Sequence, residues 1–432
     1  MSQPVATSTS GVEARALDAV EELLTQGQHQ SLLEDLVAIP SITGSAAETE
    51  AQHWVARRLE HQGLVTDLWR MDLAELQGDP GFPGTEAPRE EIWGCVGVTP
   101  GSGDGPTLVL QGHVDVVPPG DRHQWQGHDP FEPRVVGDVL HGRGACDMKA
   151  GVVANLLAAE AVRSSGVSLR GRLALHTVGG EEDGGLGAFG TLRRGHVGDA
   201  CVITEPTSRT VITATGGALT FTLEVTGAAT HGSTRYAGFS AIEKFELLHA
   251  ALRELERERN ESVDPCMTEY PIAFPLMVGR VSAGDWSSTV PDRLAAEGRY
   301  GVRLDESPDA ARAAFEQRVR AFSASDPWLA EHPVTVTWSG GQFAPGRFPA
   351  GDPFLALVQG AYATVTGDAP RERGAPYGSD LRLYNSAGVP ALHLGPGEVR
   401  HAHSPLEQVS LSEVADVART LVLVILRTCG VD

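Results

Sequence analysis

The chain has 432 residues, 41% of them hydrophobic, and a formal net charge of −22. That length exceeds what one simple core organises, so two domains are expected, and the apolar fraction argues against disorder. So acidic a surface repels phosphate backbones and anionic lipid, which excludes nucleic-acid and membrane-surface binding as first readings.

In chain order, residues 1–12 read as a tail, without the basic start or apolar stretch of a secretory signal. Helical spacing follows over 13–26, over 30–39, where Pro40 stops it, and over 45–63. Residues 74–91, rich in Gly, Pro and Glu, read as a loop. From 92 to about 215 strand-like and helical segments alternate, with 151–165 the clearest helix, and this is the α/β pattern. Near Gly216 the pattern changes. A half-exposed strand (218–227), a long amphipathic helix (239–258), two strands (around 271–282 and 292–303), a helix (309–324) and a strand (333–338) follow. The order β-α-β-β-α-β is that of a ferredoxin-like split motif. Helix 352–366, strand 389–394 and helix 411–428 return to α/β material. The expected organisation is a catalytic domain in two parts, 13–215 and 345–432, interrupted by an inserted domain at 216–344. Cys95, Cys146, Cys201, Cys266 and Cys429 are scattered, with no C-x-x-C pair, which fits reduced thiols in a cytoplasmic protein. The apolar run 421–426 is too short to span a bilayer.

Within this frame, five apolar segments end in imidazole or carboxylate groups. In TLVLQGHVDVVP (107–118), His113 and Asp115 are two apart and share a face of an extended strand. The pair is either a metal ligand with its brace or a strand-end hydrogen-bond pair. VLHGRGACD ends at Asp147, a ligand or a cap for the following helix. RLALHTVGGEE ends at Glu181 and Glu182, ACVITE at Glu205, and VPALHLGPGEVRHAH at His403. Ligand sites in open α/β sheets lie beyond the carboxyl ends of the strands. Two histidines and several carboxylates delivered to one edge read as a site for two hard or borderline metal ions. Gly185, Gly187 and Gly190 spell G-x-G-x-x-G, but Glu181, Glu182 and Asp183 stand between them and the strand and would repel a pyrophosphate. Cys146 would point away from its neighbour Asp147. Met148 and Lys149 read as packing and surface groups. His123, His128, His141, His176 and His393 read as structural.

The segments LQGHVDVVP (110–118), DPFEPRVVGDVLHGRGACDMKAG (129–151), GGEED (179–183), EPT (205–207), ATHGSTRYAGFSAI (229–242) and GPGEVRHAHSPLE (395–407) carry a resemblance to the M20 metallopeptidase and deacylase family. That family includes acetylornithine deacetylases, succinyl-diaminopimelate desuccinylases, aminoacylases and glutamate carboxypeptidases. SSTVPDRLAAEGRYGV (287–302) resembles the branch labelled acetylornithine deacetylase or formylaminopyrimidine deformylase. The resemblance implies an aminopeptidase-like mixed α/β sheet with helices on both faces, and an inserted ferredoxin-like lid that makes a homodimer. It implies that His113 and Glu205 hold one divalent ion, zinc or else cobalt. Glu182 and His403 hold the other, and Asp147 bridges them. Asp115 orients His113, Glu181 is the general base, and His403 rather than His401 is the ligand. His231 is implied to reach the active site of a second subunit and to help hold the oxyanion there. Two departures stand out. Ser288 replaces an asparagine that holds substrate in other branches, and Gly378-Ser379-Asp380 replaces the commoner G-T-D. Arg299 and Arg382 are candidates to pair with a substrate carboxylate, with surface or structural roles as the equal alternative. The implied activity is hydrolysis of small N-acyl amino acids. The alternatives are N-formyl aminopyrimidine deformylation, and dipeptidase or desuccinylase action. A solute-binding protein is the alternative from another class, and the Glu181–Glu182 pair and the missing export signal oppose it.

Overall fold

The computed structural model describes residues 9–100, 105–125 and 127–432. Of the expected tail, residues 1–8 lie outside the described residues, and the first helix begins earlier than expected, at Thr9.

Apolar residues at every position of a strand demand cover on both faces. The strand Thr107–His113 meets this condition, since it is buried from Leu108 onward. Leu108 and Leu110 join the core beneath the helices Thr9–Thr25, Ala150–Ser164 and Leu411–Cys429, whereas Val109 joins a second core with Ala188, Leu381 and Tyr384. Arg172–Val178 and Ala200–Ile203 alternate in the same way: Leu173, Leu175 and Val202 face the first core, and Ala174, Cys201 and Ile203 the second. The central sheet therefore carries helices on both faces.

The order across this sheet is Val65–Arg70, Trp93–Val98, Arg172–Val178, Thr107–His113, Ala200–Ile203, Ala391–His393, Val211–Thr215 and Gly346–Arg347, with Glu372–Ala375 also pairing to Val211–Thr215. The four strands from Arg172–Val178 to Ala391–His393 run parallel. Antiparallel partners flank them on both sides. The sheet is thus mixed, and its parallel centre is where the candidate ligands cluster.

A second sheet pairs Leu276–Ala283, Arg293–Val302, Gly217–Thr226 and Thr335–Phe343, all antiparallel. This is the strand order of a split β-α-β motif. Its buried side chains, Leu219, Phe221, Leu223 and Val225 among them, form a core of their own with Leu248, Leu252, Phe315 and Val319 from the helices Ala241–Arg259 and Pro308–Ser325. Each of these helices starts at a serine whose hydroxyl accepts an N–H of the first turn, Ser240 from Glu243 and Ser307 from Ala310.

Two local expectations change. The stretch 74–91 contains a short helix, Leu73–Gly78, because Asp72 caps it by accepting from the N–H groups of Ala74 and Glu75. The strand Val65–Arg70 is an addition to the expected elements; its charged Asp67 and Arg70 suit an edge strand, and an edge is where it lies.

Candidate active site

Register sets the site. Thr107–His113 pairs with Arg172–Val178 so that His113 stands opposite Val178, and with Ala200–Ile203 so that Gln111 stands opposite Ile203. Two residues further along both chains, His113 and Glu205 fall level with one another. The His113 Nε2 atom lies 3.6 Å from Glu205 Oε1. The strand Arg172–Val178 continues into Gly179-Gly180 and delivers Glu181 and Glu182 to the same edge.

Asp147 and His403 arrive by other routes than the expected strand ends. Asp147 sits in an irregular helical turn, Ala145–Lys149, just before the helix Ala150–Ser164. His403 follows a loop well beyond Ala391–His393 and has φ 58°, in the left-handed region. The result is nonetheless one cluster. Asp147 Oδ1 lies 3.2 Å from His113 Nε2 and Asp147 Oδ2 lies 3.5 Å from His403 Nε2, so one carboxylate stands between the two imidazoles. His403 Nε2 also lies 3.1 Å from Glu182 Oε2. Ligand atoms of His113, Asp147 and Glu182 lie within 4.8 Å of one another, as do those of His113, Glu181 and Glu205. The geometry places Glu181 as near to the cluster as the expected ligands.

The supports of this cluster are buried. His113 Nδ1 donates to the main-chain carbonyl of Asp115 at 2.9 Å. A carbonyl can only accept, so the proton is on Nδ1 and the Nε2 lone pair faces the cluster. The expected brace, the Asp115 carboxylate, is further off at 3.6 Å. That carboxylate instead accepts from Thr43 Oγ1 and from the N–H groups of Glu181 and Glu182, so it fixes the turn that carries both glutamates. Glu407 was unforeseen in this role. Its carboxylate accepts from the N–H groups of Gly144, Cys146 and Asp147 and pairs with buried Arg143. Lys149, expected at the surface, is fully buried and donates to the carbonyls of Leu36 and Ile39. Cys146 turns its thiol to the Glu398 carbonyl, away from the cluster. Gly187 and Gly190 leave no room for a side chain, as a Cβ would meet Gly179 O at 2.2 Å and Met71 Sδ at 2.4 Å, so these glycines serve packing.

Outer groups that hold a ligand in place are typically worth ~10–100-fold in metal affinity. We expect Glu407→Gln to weaken zinc binding by about that factor, with the helical content in circular dichroism unchanged. Unaltered affinity would assign Glu407 to folding alone.

The charges call for cations. Burial opposes a charged His113, yet Glu205, Asp147, Asp115 and Glu181 raise its proton affinity well above the ordinary imidazole value. His403, beside Glu182, is pushed up to about 11. Burial drives Glu181 and Glu205 well above the usual carboxylate range, and Asp380 adds to the effect on Glu181. Asp147 is held well below that range despite its burial, because both histidines bond it. A site that raises the proton affinity of every imidazole it holds is short of positive charge. Imidazole and carboxylate donors of this kind suit hard or borderline divalent ions, so the residues fit a metal centre.

The cluster floors a cleft of about 460 Å3. Val117, Met277, Phe343, Tyr377 and Val399 supply apolar wall, and Glu86 and Arg299 supply charge. Arg299 lies 3.4 Å from both Glu86 Oε1 and the Glu182 carbonyl. Arg382 does not line the cleft. It is buried, donates to the carbonyls of Ser379 and Gly184, and lies over the Phe343 ring, so its expected substrate contact gives way to a structural one. His231 is also apart from the cleft, exposed at the start of the turn Gly232–Ala237, with Nδ1 2.8 Å from Ser233 Oγ. His176 and His393 are buried against Tyr384 and Ser379, and burial pushes both down to about 3.

Among known proteins, the model of "Peptidase family M20/M25/M40" matches residues 109–427. The N-formyl-4-amino-5-aminomethyl-2-methylpyrimidine deformylase of Bacillus subtilis is 28% identical over 422 residues, covering 92% of this chain and 94% of the relative. A succinyl-diaminopimelate desuccinylase of Leptothrix cholodnii is 30% identical over 330 residues, covering 72% and 77%. The solved dipeptidase Dug1p of Saccharomyces cerevisiae superposes with TM-score 0.76 at 14% identity, covering 96% of this chain and 98% of its own. A dinuclear metal-binding peptidase of Bacillus subtilis superposes with TM-score 0.59 at 17% identity, covering 93% and 98%. At such identities the superpositions speak for the fold.

Proposed function

The chain belongs to peptidase family M20/M25/M40, whose members are dinuclear metal-dependent amide-bond hydrolases, and from this premise we propose that it removes a small acyl group from an N-acylated amine. The carrying observation is the shared Asp147 carboxylate, one oxygen toward His113 and the other toward His403, at the floor of a small cleft. In this reading His113 and Glu205 would hold one ion and Glu182 and His403 the other, with the Asp147 carboxylate available to both. Zinc is the expected metal and cobalt its substitute. Two such ions, when bound, would supply a water of lowered pKa and polarise the acyl carbonyl.

The rest of the chemistry is the chain's own. Among the described residues the Glu181 carboxylate has no hydrogen bond and no ion pair, and burial raises its proton affinity. It takes the proton of the attacking water and returns it to the departing nitrogen. Amines leave poorly without that proton. The Asp115 carboxylate, bonded to the N–H of Glu181, keeps the base aimed into the cleft.

For the substrate, two readings have support. An N-formylated aminopyrimidine matches the Bacillus subtilis relative, which aligns along nearly the whole chain, and suits the aromatic walls Phe343 and Tyr377 with the Glu86 carboxylate as partner for amino groups. An N-acyl amino acid, as in acetylornithine deacetylases, would draw on Arg299 for its carboxylate. The first is favoured because Arg299 is the one arginine or lysine that lines the cleft among the described residues, and it already leans on Glu86. A panel of N-formyl aminopyrimidine, N-acetyl and N-succinyl amino acids and dipeptides, assayed with zinc or cobalt, tests this. Turnover of the formyl substrate with loss on chelation is expected. Preference for an N-acyl amino acid would select the second reading, and binding without turnover would return the solute-binding alternative.

We also propose that residues 216–344 form a lid through which two copies pair, with His231 serving the partner's cleft. Its exposure and its absence from the lining of its own cleft support this, as do the edge strands of the second sheet. Mixing Glu181→Gln and His231→Ala subunits, each inactive alone, should restore activity after exchange, since one site per heterodimer keeps both groups. Exchanged heterodimers that stay inactive would return His231 to a structural role. A cytoplasmic setting is supported by five free cysteines, and no helix among the described residues is long and apolar enough to cross a membrane.

A further inference from the structure

We propose that the Tyr377 hydroxyl donates a hydrogen bond to the acyl oxygen of the substrate and holds the negative charge that grows there as the amide is attacked. The inference rests on the amide-hydrolase reading of the cleft. Tyr377 lines that cleft together with Asp147, Glu181 and Glu205. Its hydroxyl is sealed from solvent and has no hydrogen-bond partner among the described residues. Buried hydroxyls are paired in the great majority of cases, because an unpaired one forfeits its hydration without return. A hydroxyl left unpaired beside a reaction centre is free to bond a molecule held there. That molecule must offer an acceptor if the phenol keeps its proton. An ordinary tyrosine keeps it at neutral pH.

The ring is held for this purpose. It stacks on His393 at 6.3 Å with planes 12° apart, and His393 Nε2 lies 3.1 Å from Ser379 Oγ. Ser379 Oγ in turn accepts from the Leu381 N–H. The next residue, Gly378, is pressed so close to Phe343 that a Cβ would lie 2.4 Å from that side chain. A donor fixed in advance needs no reorganisation when charge develops, and this is the condition for stabilising an oxyanion. Glu205 lines the cleft together with both Tyr377 and Glu181. An acyl carbon lodged beside Glu205 is thus served by a proton carrier and a hydrogen-bond donor. The hydroxyl transfers no proton. The bond it makes to the acyl oxygen shortens as charge builds, and it is released when the carbonyl re-forms.

The test is Tyr377→Phe in the zinc-loaded enzyme, which removes one oxygen and keeps the ring. Loss of one such donor is expected to lower kcat by about 100-fold with little change in KM. The melting temperature and metal content should be unchanged or higher, because no protein group loses a partner. Affinity for methylphosphonate, a small tetrahedral anion standing in for the attacked carbonyl, should fall along with kcat. A kcat within twofold of the parent would overturn the proposal, as would a drop in melting temperature or in bound metal, which would make the hydroxyl structural. A parent enzyme inert toward every N-acyl substrate would sink the proposed function instead. The methylphosphonate titration would still decide Tyr377, because equal affinity in both proteins overturns its role without reference to turnover.

Discussion

Glu181→Gln is expected to bind metal as the parent does and to lose turnover by ~10²–10⁴-fold, the usual worth of a general base. Gln is nearly isosteric with Glu, so the turn held by Asp115 through the N–H groups of Glu181 and Glu182 survives the change. What is lost is the capacity to accept a proton. The alternative is that Glu181 is a ligand, since one of its oxygens lies within 4.8 Å of the ligand atoms of His113 and Glu205. Metal analysis separates the two. A base gives full metal and little activity, and a ligand gives reduced metal with activity that recovers at high metal concentration. Near-normal turnover would place the base elsewhere.

The second large effect is a contrast between two histidines two residues apart. His403→Ala should lose both bound metal and activity, while His401→Ala keeps most of each. His403 Nε2 lies 3.1 Å from Glu182 and 3.5 Å from Asp147, whereas His401 does not line the cleft and its N–H is bonded to the Glu398 carbonyl. Metal content by elemental analysis, set beside kcat/KM, reads the contrast. The reverse result would mean that the loop carrying both is placed in the wrong register.

How far the sequence foretold this arrangement depended on how local the signal was. His113, Glu181, Glu182 and Glu205 were legible because a buried parallel strand announces itself by an apolar run, and the residues just past it must lie on the sheet's carboxyl edge. The second sheet was legible for a similar reason, since strand and helix periods alternate in the order of a split motif. Asp147 and His403 reached the cluster without being strand ends, so the rule that picked them was correct in outcome and wrong in cause. Lys149 was misplaced because charge suggests exposure, and Arg382 takes the structural role that stood beside substrate pairing; backbone carbonyls satisfy both in the interior. Glu407 and Tyr377 carry no local signal. A glutamate that bonds three N–H groups of one turn, and a phenol whose hydroxyl has no partner among the described residues, acquire meaning only from the neighbours that tertiary packing brings.

The clamp by Glu407 also bears on how the molecule holds together in time. Asp147 is anchored by Glu407, a residue four positions past His403 and far from Asp147 in the chain. No fragment ending before that support can present a finished pair of sites, and the unfolded chain has none. Ions that bind only the finished form shift the folding equilibrium toward it, by about 2.7 kcal/mol for a site at a hundred times its dissociation constant. Metal supply in the cell then acts on the lifetime of the protein as well as on its rate, and a metal-starved cell would hold fewer copies.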